Sequence, residues 1–61
     1  MINLKIKELR ERRNLTKEYI AIQMEISVKK YTEIEKGKVD LKMSKLSRLS
    51  EILGISKSDF F

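Results

Sequence analysis

The sequence predicts an all-α domain of five short helices, and three observations carry that expectation. Leu15-Thr16 before Ile20, Ile26-Ser27 before Tyr31, and Ile55-Ser56 before Phe60 repeat one arrangement. In each, a hydroxyl residue suits an N-cap, accepting from free backbone N–H groups. The apolar residue before it can meet the one four beyond it as a hydrophobic staple. The only two glycines, Gly37 and Gly54, directly follow apolar-periodic runs, where a left-handed residue ends a helix. Proline is absent, no β-alternation is sustained, and apolar residues recur at spacings of 3 and 4.

The first helix is expected over roughly residues 2–13, where Ile2, Ile6, Leu9 and Arg13 repeat at 4, 3 and 4. The second spans roughly 16–24 and the third 27–36, each opened by its hydroxyl cap. Only Glu25-Ile26-Ser27 separates them, and so tight a connection forces a steep crossing, as in a helix-turn-helix unit. The fourth runs over about 42–53, with Met43, Leu46, Leu49 and Leu53 at 3, 3 and 4. A short fifth helix starts at Ser56, with Asp59 three residues on at a capping-box position.

Length and composition bound what such a bundle can do. Sixty-one residues give a single expected domain, 1–61, that buries only about 60% of the surface its unfolded chain exposes. Without Cys or His there are no disulfides, no thiolate metal sites and no usual general base, so neither a cofactor nor an enzyme is expected. The paired carboxylates such a role would need are missing too; Glu8, Glu11 and Glu18 read as solvated helix charges. The net charge of +5, from 14 Lys and Arg against 9 Asp and Glu, favours polyanions. No apolar run approaches the ~20 residues of a membrane span. The opening Met1-Ile2-Asn3-Leu4-Lys5 lacks a signal-peptide core, so a soluble, cytoplasmic protein is expected.

The third helix has two faces. Ser27, Tyr31, Ile34 and Glu35 share one side, expected to face the core; Val28, Lys29, Thr32, Glu33 and Lys36 share the other. Lysine can donate to guanine O6 and N7, glutamate can accept from cytosine N4, threonine can do either, and valine can touch a thymine methyl. A solvated helix face can have the same composition, so this face alone does not decide.

The stretch Leu15-Thr16-Lys17-Glu18-Tyr19-Ile20-Ala21, then Ile26-Ser27, Tyr31 and Ile34-Glu35-Lys36-Gly37, resembles the Cro/repressor (XRE) helix-turn-helix family. The likeness continues upstream through Ile6, Leu9-Arg10 and Arg13, and downstream through Leu46, Leu49 and Leu53-Gly54-Ile55-Ser56. It implies a compact, five-helix, lambda-repressor-like bundle whose second and third helices form the DNA-reading unit. By the same resemblance, Val28, Lys29, Thr32 and Glu33 would face bases, while Thr16, Lys17, Ser27, Lys36, Lys38, Lys42 and Ser44 would hold phosphates. Arg10 and Glu35 would form a partly buried ion pair. The implied partner is double-stranded DNA with a two-fold operator, bound by a homodimer acting as a transcriptional repressor.

Four residues depart from the family's usual pattern. Lys17 stands where glutamine is frequent, and Glu25 where glycine is usual in the turn, so a left-handed Glu25 would store ~1 kcal/mol. Leu41 replaces a common proline, and Ser50 a common alanine, so a buried Ser50 would need a local hydrogen bond. Leu4 and Ile22 lie off their helices' apolar stripes, while Leu41, Ile52 and Phe61 have no evident core role and are the expected dimer contact. The competing reading is a protein-interaction module of the same fold, antitoxin-like or regulatory, with weak non-specific DNA binding.

Overall fold

A computed structural model describes residues 2–60. Four α-helices follow in order, α1 (Ile2–Arg12), α2 (Lys17–Met24), α3 (Val28–Glu35) and α4 (Met43–Leu53), and a 3₁₀ helix closes the described chain at Lys57–Phe60. The expected fifth helix is therefore a single 3₁₀ turn rather than an α-helix. Its backbone amides find few partners over four residues: Asp59 N–H bonds back to the Ser56 carbonyl at 3.0 Å, and the Asp59 carboxylate accepts from the Ser56 amide at 3.1 Å.

One turn is used again and again. Asn14, Glu25, Gly37 and Gly54 all have positive φ, between 56° and 74°. At each, the following residue's N–H reaches back to a carbonyl five residues earlier: Leu15 to Arg10, Ile26 to Ala21, Lys38 to Glu33, and Ile55 to Ser50. This is the Schellman arrangement, which satisfies carbonyls that a helix end would strand. After three of these turns an apolar residue and then a hydroxyl residue open the next helix, so one three-residue device both ends and starts a helix. The glycines were legible as stops; Asn14 and Glu25 do the same work with side chains attached.

The core is one cluster of Ile6, Leu9, Ile20, Ala21, Met24, Tyr31, Ile34, Leu46, Leu49, Leu53 and Phe60. α2 packs on α3 and α4, α1 packs on α3, and the 3₁₀ turn bridges α1 and α4 through Phe60. Ser50 is buried on α4, and its hydroxyl donates to the Ser47 carbonyl at 2.7 Å, the local bond its burial requires.

Two expectations about apolar residues change. Leu41 and Ile52 do have a core role, being half-buried and packed against the cluster. The chain after Gly37 folds back so that Val39 and Leu41 lie over Ile34, Ile2 and Ile6 at the α1–α3 seam. Met43, read as part of the α4 stripe, is 63% exposed, because it occupies the first helical position, beyond the end of the core. Leu4 and Ile22 are exposed, off their apolar stripes, and so is Tyr19. Phe61 lies outside the described residues.

Candidate nucleic-acid interface

Local chemistry fixes the start of each helix in the α2–turn–α3 unit. Thr16 Oγ1 accepts from the Tyr19 amide at 3.0 Å, and Ser27 Oγ accepts from the Lys30 amide at 3.0 Å. Each hydroxyl uses a lone pair for the cap and keeps its proton to donate elsewhere. Between the two caps, Glu25 adopts φ 58° and ψ 42°, a left-handed residue that ends α2 and turns the chain toward α3. A residue with a Cβ pays strain there that glycine would not.

The rotation of α3 about its own axis is set from behind. Tyr31, Ile34 and Glu35 are buried on one side. The Glu35 carboxylate receives Arg10 Nε at 2.6 Å and Arg10 Nη2 at 3.3 Å, a two-pronged pair from α1. The Tyr31 hydroxyl donates to the same carboxylate, and Arg10 Nη1 donates to the Leu15 carbonyl at 2.9 Å. Asn3 Nδ2 reaches the Glu35 backbone carbonyl at 3.3 Å. The hydrogen bond to Glu35 raises the Arg10 pKa further, so the guanidinium stays charged. Burial, reinforced by its bond to Glu35, pushes the Tyr31 phenol well above its usual value, so it stays a donor. No buried side-chain polar atom among the described residues lacks a partner. Such a network tolerates little sliding or rotation of α3 against α1.

The opposite face of α3 is thereby turned outward. Val28 is 37% exposed and Lys29 and Lys36 are exposed, while Thr32 and Glu33 are half-buried along the flanks. A helix-turn-helix domain family model matches residues 4–61. The chain belongs to that family, in its Cro/repressor (XRE) type. No curated protein and no solved structure matches it. Family membership makes this a DNA-binding domain of the transcription-regulator type, with double-stranded DNA as partner.

In this helix-turn-helix domain, the residues expected at phosphates fall into separate groups. Lys17 from α2 and Lys36 at the end of α3 line one cleft beside α1, together with Lys7, Asn3 and Leu4 and with Thr32, which was expected at bases. Lys7 was not singled out from sequence, although it lies four residues from Asn3 and so shares the α1 face turned to α3. Thr16 and Ser27 are exposed caps, and Lys38 is exposed just beyond Gly37. Lys42 is the N-cap of α4 with no side-chain cap bond, so the first amides of that helix, beside exposed Ser44, have no side-chain acceptor. Among the described residues there is no cluster suited to a metal ion, and no helix is long and apolar enough to cross a membrane.

Proposed function

We propose that this helix-turn-helix domain is a sequence-specific transcriptional repressor that lays α3 in the DNA major groove. The observation that supports this most is the clamped rotation of α3. Arg10, Tyr31 and Glu35 hold one face inward while Val28 and Lys29 stand outward at its start. In helix-turn-helix proteins the first turns of the recognition helix reach base edges. Here Val28 suits a thymine methyl, Lys29 suits guanine O6 and N7, and Thr32 and Glu33 suit base amino groups deeper along the helix.

Phosphates then fall to Thr16, Lys17, Ser27, Lys36, Lys38, Lys42 and Ser44. The uncapped start of α4 supports Lys42 and Ser44 in that role, since free helix N–H groups and a nearby cation suit a phosphate. A domain of this size makes few contacts alone, so two copies are proposed on a two-fold operator, with half-sites about 34 Å apart. Ile52, half-buried against the core like Leu41, and Phe61 are the proposed contact between copies, while Leu41 lines a cleft with Val39 and Ile26. Repression would follow from occupancy of the operator.

Substitution separates base reading from charge. Lys29→Ala and Glu33→Ala relax preference at particular base positions, whereas Lys38→Ala weakens every duplex alike and lowers the salt slope by about one. If all three weaken binding uniformly, base reading through α3 is wrong.

A further inference from the structure

Met24, Ile26, Ile34, Val39 and Leu41 form the floor and walls of a cleft between the start of α3, the α3–α4 loop and the first turn of α4. Met24 and Ile34 are buried beneath it, while Ile26, Val39 and Leu41 are half-exposed to it. Its rim carries three exposed lysines, Lys30 from α3, Lys42 before α4 and Lys45 on α4, and one carboxylate, Asp40. Among the described residues the ion pairs are Arg10–Glu35 and Arg12–Glu8, and none of these lysines takes part in one. Lys30 and Lys45 are also the cationic side chains here that the DNA-reading arrangement leaves without a role.

We infer that this cleft docks an acidic, amphipathic segment of another protein, its apolar side chains on Ile26, Val39 and Leu41 and its carboxylates against Lys30, Lys42 and Lys45. Charge decides between occupants. A second copy meeting this cleft through a two-fold axis would bring the same three lysines opposite themselves, in a chain of net charge +5. Like charges so juxtaposed oppose association, whereas an acidic partner gains from them. A phosphate backbone would match the lysines but leave the apolar floor unused. Because Lys42 belongs to both surfaces, a segment seated here competes with DNA, which gives the domain a means of release that does not require a ligand-sensing domain.

The test uses the 61-residue chain, ¹⁵N-labelled, and a synthetic twelve-residue helical peptide of alternating Leu pairs and Glu or Asp residues. A control peptide replaces every acidic residue with Lys. The acidic peptide is expected to shift the amides of Ile26, Lys30, Val39, Leu41 and Lys45 saturably, and the control to shift none. The exposed double substitution Lys30→Glu and Lys45→Glu should weaken the peptide at least tenfold while the amide spectrum stays folded. Unsaturable shifts spread over every lysine-bearing face, or no shifts at all, would overturn the proposal. So would a folded Lys30→Glu, Lys45→Glu chain that binds the acidic peptide as tightly as the native one.

Discussion

Arg10 on α1 and Glu35 on α3 meet at 2.6 Å with only 10% and 4% of their side-chain surfaces exposed. Twenty-five positions separate them in the chain, and the bond ties the first helix to the end of the third. The only other ion pair among the described residues, Arg12 with Glu8 at 2.7 Å, is 67% and 47% exposed and joins two turns of one helix. The two pairs have similar lengths and very different consequences. Arg10→Ala should cost ~3–5 kcal/mol, because it strands a buried carboxylate. Arg12→Ala should cost no more than ~0.5 kcal/mol. Urea unfolding of both variants checks the contrast; equal losses would mean that the Arg10–Glu35 pair is not desolvated in solution.

Tyr31 gives stability a dependence on high pH. Its phenol is held protonated by burial and by the Glu35 carboxylate, so its folded pKa lies above the usual value of 10.0. A group raised in the folded state contributes fully below its unfolded pKa. That contribution is lost as pH climbs past about 10, at up to ~1.4 kcal/mol per pH unit. Tyr31→Phe should cost about 1.5–3 kcal/mol at pH 7, the value of a hydrogen bond to a charged group. The gap between the native chain and this variant should then narrow above pH 10. A constant gap across that range would contradict the account of Tyr31.

Glu25 is the strained point of the turn. At φ 58° it holds a conformation that costs an L residue ~1 kcal/mol. Glu25→Gly should therefore raise the melting temperature by about 4–8 °C. Glu25→Ala, which keeps the Cβ, should leave it nearly unchanged. Asn14→Gly should gain less, because asparagine tolerates the left-handed region better than glutamate.

The two glycines should differ when substituted. Both have positive φ, 74° at Gly37 and 68° at Gly54, so alanine is strained at either. A Cβ at Gly37 would also sit 3.0 Å from Asn3 Nδ2, the group that holds the Glu35 carbonyl, whereas at Gly54 the nearest atom is Arg13 Nη1 at 3.8 Å. Gly54→Ala should cost ~1 kcal/mol and Gly37→Ala measurably more. Thermal unfolding of the pair reads the difference, and the reverse order would mean that Asn3 moves aside freely.

What was legible in the sequence is what is encoded locally. Thr16 and Ser27 announced two helix starts, and Gly37 and Gly54 two stops, because cap and left-handed requirements act within a few residues. Periodicity gave Tyr31, Ile34 and Glu35 as the inward face of α3, but Ser27, assigned to the same face, is exposed because it caps the helix from outside its first turn. Features that depend on chain reversal were not legible. Leu41 read as stray because the loop after Gly37 has first to fold back onto the core, and Ile52 because its partners come from other parts of the chain. Met43 kept the right period yet ran past the end of the core. The bond of Tyr31 to the Glu35 carboxylate follows from their spacing of four on one helix face and could have been read. The cleft joining Lys7 to Lys17 and Lys36 could not, since it needs three helices in place.

The central claim is that α3 reads bases. Selection from a random duplex pool, with the selected duplex titrated against a scrambled one at two salt concentrations, tests it most directly. A two-fold motif bound ~10³-fold or more tighter than the scramble at both salts is the predicted result. No motif, with binding that disappears as salt rises, would contradict the claim and leave the +5 charge as a non-specific footprint.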